Sequence, residues 1–298
     1  MVFAVVGFYL MSSPAHESAP SVVSAPHPGS PTHFGHPMIA AGSGSVSAAS
    51  AITLSCPYSV SSQCLGSLNW GGYTVYSSTF AVTKVVGTWT VPAIAGSTST
   101  TCPDAQKTWD SNAVWIGIDG AFTSTVEQTG TSSDCYYGQT SYYAWYEFYP
   151  AGSVQVPITI SPGDKITANV EYVGNNATGV PEFKTTITDV TTASTYTSSK
   201  TPVPGALRES AEWIDESPYY DGFLGLTKVG QVIFSGASAT IGGVTGVISS
   251  WGSSNVYWLV MVDYNFPYSS TIAYVKAEPA ALTSAGNGFR VNWVSNGP

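Results

Sequence analysis

The sequence predicts an all-β fold, an antiparallel two-sheet β-sandwich or a barrel, on three observations. Beyond about Gly66 the chain breaks into short runs rich in Val, Ile, Thr, Tyr and Trp, separated by Gly, Pro, Asn and Asp. No run carries a sustained helical stripe. No internal repeat divides the body, so roughly 230 residues read as one unit.

The elements before the body come first. Val2–Met11 is a short apolar segment resembling the core of a signal peptide, although no Lys or Arg precedes it. From Ser12 to about Ser55 the chain is Ser, Ala, Pro, Gly and His with a single acid, Glu17, and no packing period, within a poorly structured stretch assigned to residues 12–65. It reads as a pro-segment or linker, with a maturation cut expected between Ala40 and Gly66. The sandwich domain is assigned to residues 66–298.

Within the body the expected strands are Gly72–Val75, Val82–Val91, Val114–Ile118, Ser141–Tyr149, Val154–Ile160, Ile166–Tyr172, Thr185–Val190, Ser210–Ile214, Gln231–Phe234, Val256–Val262 and Phe289–Val294. Pro162-Gly163-Asp164 and Gly174-Asn175-Asn176 mark turns. Asn176-Ala177-Thr178 fits a glycosylation triplet, a pattern common by chance.

Composition excludes several functions. All 4 histidines precede residue 37, so the body has no imidazole for a Ser–His–Asp triad or a His-ligated zinc. The chemistry available needs no cofactor and no metal. Charged residues make up 9% of the chain and the formal charge is −9 at pH 7, which leaves no basic patch for nucleic acid. With only 9 basic residues, protonating the acids leaves little self-repulsion, which suits an acidic medium. Four cysteines allow three pairings; the nearest-neighbour closures, Cys56–Cys64 and Cys102–Cys135, are favoured, in an oxidising compartment.

Three segments concentrate chemistry. In Val114–Gly120, period-2 alternation places Trp115, Gly117 and Asp119 on one face and Ile116 and Ile118 in the core. Ala121–Thr125 turns the chain back and sets Gln128 on a neighbouring strand near Asp119. In Ser210–Glu216, Ala211 and Trp213 share one face, Glu212 and Ile214 the other; a carboxylate so flanked is partly desolvated and its pKa rises. In Ser141–Pro150, Tyr143, Trp145, Glu147 and Tyr149 share a face, an aromatic-lined cleft with one acid. Singly, each has a bland reading: core tryptophans, a turn aspartate before Gly120, a satisfied buried acid.

In combination they are specific. WIGIDG, EQTG, GQTSYYAWYEFYP and SAEWIDE, in that order, with Asn69–Tyr73 and Gly87–Pro92 before them and Val229–Phe234 after, resemble the glutamic peptidases, or eqolisins. The resemblance covers about Asn69 to Val294. It implies a concanavalin A-like, jelly-roll-type β-sandwich and a secreted, monomeric acid endopeptidase that acts on polypeptides and, once mature, has no membrane anchor. The catalytic pair falls on Gln128 and Glu212, with Trp115, Asp119 and Glu147 in support and Tyr143 and Trp145 lining the cleft. Tyr143 stands where many members carry Asp, and the loop from Asp119 to Gln128 is one residue shorter.

Two rivals remain at this point. A sandwich-fold glycoside hydrolase would use Glu147 and Glu212, with Trp145 as sugar platform. A carbohydrate-binding module or adhesin would use the aromatic face alone. A pepsin-like dyad is disfavoured, because neither Asp-Thr-Gly nor Asp-Ser-Gly occurs.

Overall fold

The structure is a computed structural model that describes residues 39–40, 63–103, 108–264 and 272–297. The apolar segment 1–11, nearly all of the pro-segment and Cys56 lie outside the described residues. Among those described there is no α-helix, and one 3-10 turn at Ile248–Trp251.

Two strand layers face each other. The first runs, neighbour by neighbour, through β1 (Ile39–Ala40), β2 (Cys64–Ser67), β17 (Val256–Tyr264), β3 (Trp70–Tyr76), β13 (Ser210–Glu216), β5 (Trp109–Ile118), β6 (Val126–Tyr136), β7 (Gln139–Tyr149) and β8 (Val154–Gln155). The short β14 (Gly225–Leu226) pairs with the start of β5. The second layer runs from β10 (Pro181–Asp189), flanked by β11 (Ser194–Thr197) and β12 (Thr201–Pro202), through β9 (Lys165–Asn175) and β4 (Val82–Thr90) to β15 (Gln231–Ile241). β16 (Val244–Val247) and β19 (Phe289–Trp293) pair with β15, and β18 (Ile272–Pro279) links β19 back to β17. The layers are thus joined along one edge. Among the described residues they do not pair at the other, so the fold is a sandwich and not a closed barrel.

Alternation explains the core. Val114, Ile116 and Ile118 of β5 and Ala211 and Trp213 of β13 turn inward against Val85, Trp89, Ile166, Ala168, Val170 and Phe234 of the second layer. Two indole nitrogens cross the interface: Trp213 Nε1 donates to Val86 O at 2.8 Å and Trp89 Nε1 to Thr131 Oγ1 at 2.9 Å. Gly87 makes room for the first, since a Cβ there would stand 3.0 Å from the Trp213 ring and 2.8 Å from Ile116.

Three expectations need correction. The Val154–Ile160 run is strand only at Val154–Gln155, because Pro157 supplies no N–H to continue the ladder. The neighbouring strand expected to carry Gln128, β6, runs on to Tyr136, further than hydropathy suggests; its Ser, Thr and Gly residues are buried, with Thr129 Oγ1 donating to Trp145 O and Ser133 Oγ to Pro92 O. β18 was not anticipated, because a buried Lys276 and register shifts against β17 break its pattern. Cys102 and Cys135 are disulfide-bonded, as favoured. Cys64 is also disulfide-bonded, but its favoured partner Cys56 lies outside the described residues.

Gly130 sits between Trp115 and Trp145 in the ladder, and a Cβ there would fall 2.4 Å from Val114 O and 2.5 Å from Trp115 Cβ. Gly130→Ala is therefore expected to destabilise the fold by about 1–3 kcal/mol, measured by urea unfolding; wild-type stability in this variant would show that the ladder yields at no cost.

Candidate active site

The outward face of the first layer is organised in rows, because directly opposed residues of antiparallel strands project to the same side. One row reads Tyr257, Thr74, Glu212, Gly117, Gln128, Glu147, one residue from each of six adjacent strands. The next reads Leu259, Gly72, Ile214, Trp115, Gly130, Trp145. Residues separated by as many as 183 positions (Thr74 to Tyr257) thereby become immediate neighbours.

Gly117 is the centre. Glu212 and Gln128 flank it on either side, about 9–10 Å apart at the backbone given ~4.8 Å between strands. A Cβ on Gly117 would meet Trp115 Cζ3 at 2.9 Å and Gln128 Cβ at 3.3 Å. The Trp115 ring thus lies against the bare face of Gly117, in the space that a side chain there would take.

Each member of the row is fixed by a neighbour. Thr74 Oγ1 donates to Glu212 Oε1 at 3.0 Å, and Gln128 Nε2 donates to Glu147 Oε2 at 2.8 Å. Trp115 Nε1 donates to Glu216 Oε2 at 2.7 Å, and Glu216 Oε1 accepts from Asn69 Nδ2 at 2.8 Å. Trp70 packs edge-on to Trp115 at 4.9 Å. The structure thus brings together Gln128, Glu147, Glu212 and Trp115, with Trp145 beside Trp115 in the next row.

Asp119 and Tyr143 serve elsewhere. Asp119 has a φ of 67°, and its carboxylate accepts from the backbone N–H groups of Leu207, Arg208 and Glu209 at 2.8, 2.7 and 2.7 Å. It anchors the approach to β13, and so the height of Glu212, as a turn residue. Tyr143 stands opposite Ser132, four residues along β7 from Glu147, and its hydroxyl donates to Asp134 at 3.2 Å. Trp109 Nε1 and Ser111 Oγ also donate to Asp134. Glu216, Asn69 and Thr74 were not singled out from the sequence; Glu216 belongs to the same SAEWIDE motif, two alternations beyond Glu212.

The open cleft expected from the sequence is not what the structure shows. Glu212, Gln128 and Glu147 are each 0% exposed in this conformation. Burial also sets the electrostatics. It holds the Glu212 carboxyl well above the usual range, reinforced by the charges of Asp119 and Glu209 and only partly offset by the hydroxyls of Ser210 and Thr74. Glu127, overlooked in the sequence, is buried on the opposite face of β6, and neither of its oxygens accepts a hydrogen bond of normal geometry among the described residues. Burial, with Asp119 and Glu212 nearby, pushes its pKa well up. Asp215 rises to about 8, again mainly by burial, against the donation of Asn112 Nδ2 at 2.5 Å. No group of three or more metal-ligating side chains occurs among the described residues.

These acids keep protons in the folded state that the unfolded chain releases at ordinary carboxylate pKa values. Stability is therefore complete in acid and is lost as pH rises, for Asp215 up to about 8. Unfolding free energy is expected to fall by on the order of a few kcal/mol between about pH 4 and 8. Asp215→Asn, still an acceptor for Asn112, should flatten part of that slope in thermal melts across pH; a flat wild-type profile would contradict it.

Comparison with known proteins bears on the family and the fold. The Peptidase A4 family model matches residues 68–260. Aspergillopepsin-2 of Aspergillus niger is 37% identical over 195 residues, 60% of this chain and 66% of that protein. Scytalidopepsin B of Scytalidium lignicola is 34% identical over 152 residues, 50% of this chain and 51% of that protein. The chain thus spans less than two thirds of each relative's length. The solved structure of scytalido-glutamic peptidase with a transition state analog inhibitor superposes with a TM-score of 0.56 at 22% identity, covering 76% of this chain and 98% of that one, a likeness of fold.

Proposed function

The chain belongs to the Peptidase A4 family, the glutamic peptidases, and on that premise we propose that it is a secreted acid endopeptidase using Glu212 and Gln128. The observation that carries this reading is the row itself: an acid and an amide on one face, two strands apart and separated by a glycine.

Ionised Glu212 takes a proton from that water, which attacks the scissile carbonyl. The Gln128 amide orients the water and donates to the developing oxyanion. Glu147 sets the orientation of Gln128 by accepting from the NH2 end of its amide. Protonated Glu212 then gives its proton to the leaving amine. Burial favours the protonated form of Glu212; water and substrate reaching it relieve that desolvation, so access and ionisation arrive together. Gln128 is neutral at every working pH, and no second acid need share the proton.

The glycosidase alternative is weakened by the same register. Glu147 lies three strands from Glu212, about 14 Å at the backbone, and leans on Gln128, whereas two hydrolytic carboxylates work at roughly 5–9.5 Å. Polypeptide substrates, export and a monomeric state belong to the proposal. No helix among the described residues is long and apolar enough to cross a membrane.

Glu212→Gln retains an acceptor for Thr74 and is expected to fold normally while losing all turnover of a denatured protein substrate at pH 2–4; near-normal activity would refute the mechanism. Gln128→Ala is expected to lower kcat on the order of 10²–10³-fold. Gly117→Ala should also cut kcat, because its methyl would press on the Trp115 ring and the Gln128 side chain, and an unchanged rate would show that the reacting atoms lie elsewhere.

A further inference from the structure

The row does not stop at Glu212. On the side away from Gln128 it continues through Thr74 to Tyr257, and Tyr76 projects to the same face two residues beyond Thr74. Onto these two tyrosines the 119–125 turn lowers Phe122. Its ring meets Tyr76 at 5.3 Å and 83°, and Tyr257 at 5.3 Å and 64°.

The turn is a built one. Asp119 N donates to Ser210 O, Gly120 N donates to Thr123 Oγ1 at 2.7 Å, and Thr123 Oγ1 donates to Thr125 O at 3.1 Å. Its root is therefore tied to the strand that carries Glu212. Yet the turn presents a phenylalanine that remains 43% exposed, while the acid beside it is sealed. Phe122 thus covers Tyr76 and Tyr257, on the side of Glu212 where Thr74 bonds it.

We propose that Tyr76, Phe122 and Tyr257 form the subsite for the substrate side chain on the amine side of the scissile bond, and that it selects an aromatic or large aliphatic residue. The inference rests on the function proposed above. If Glu212 delivers its proton to the leaving amine, the amine-side half of the substrate lies on Glu212's side of the row, where the three rings are. An edge-to-face cluster can take a further ring or branched chain without disturbing hydrogen bonds. The opposite side, beyond Gln128, presents Glu147 in the row, with Trp145 and Tyr149 on the same face two residues to either side.

The test is a peptide library randomised on both sides of a cleavable bond, with product termini read by mass spectrometry to place each residue on the amine or the acyl side. Wild type is expected to favour Phe, Tyr or Leu over Ala on the amine side. In Phe122→Ala the ratio of kcat/KM for Phe over Ala there is expected to fall on the order of tenfold or more. Phe122→Leu should retain most of the ratio. Phe122→Trp, which narrows the subsite while keeping the turn packed, should move preference toward smaller residues. A merely structural phenylalanine would lower all peptides equally, and that result overturns the proposal. So does a wild-type preference confined to the acyl side, or one unchanged in both Phe122→Ala and Phe122→Trp. Glu212→Gln separates the two claims: if its loss abolishes library cleavage, the reaction stands and a flat amine-side profile counts against the subsite alone, whereas cleavage that survives it removes the function itself.

Discussion

Glu212 and Gln128 come from distant parts of the chain and are held two strands apart by a residue with no side chain. That spacing is the constraint on which the rest of the face depends. Any larger residue at position 117 collides with the Trp115 ring and with Gln128. The Trp115 ring is in turn held by its bond to Glu216, which Asn69 also holds. A second glycine, Gly130, lets Trp115 and Trp145 approach across β6. Glycine and tryptophan therefore act as complements here: one removes volume where the other supplies it.

Low charge is the other thread. The acids that line and underlie this face are buried, and three of them, Glu127, Glu212 and Asp215, hold their protons to higher pH than a free carboxyl. In acid they are simply polar, and burying them costs little beyond ordinary desolvation. A neutral medium would ask the same sites to carry charge with few cations to answer it, since the whole chain has 9 Lys and Arg. The composition and the site thus express one condition, that the folded state is built for a medium in which carboxyls are uncharged.

Much of this was legible in the sequence, because period-2 alternation is a direct statement about faces. Ile116 and Ile118 inward, Trp115 and Gly117 outward, and Glu212 opposite to Trp213 all follow from parity alone, and the structure agrees. Register was harder. Nothing local says that Glu212, Gly117 and Gln128 share a row, since pairing across strands is set by the whole ladder. Asp119 was drawn toward the site by the same alternation, but the strand ends at Ile118 and a positive φ turns its carboxylate onto backbone N–H groups. β6 was hidden because its buried residues are hydroxyls and amides, whose partners lie on other strands. The closed state of the face was invisible for a similar reason: exposure is a property of what lies above a residue, and alternation reports only which way it points.

Trp213 adjoins Glu212 in the chain and points the other way, into the core, where its indole nitrogen reaches Val86 of the far layer beside Gly87. The acid's neighbour is thus a bolt through the thickness of the molecule. A scan of substitutions scored by turnover alone would mark position 87 as though it belonged to the reaction, although it stands on the far layer, a full sandwich thickness from the substrate. Remote sensitivity of that kind would need no signalling network here, only the rigidity of one side chain passing between two sheets.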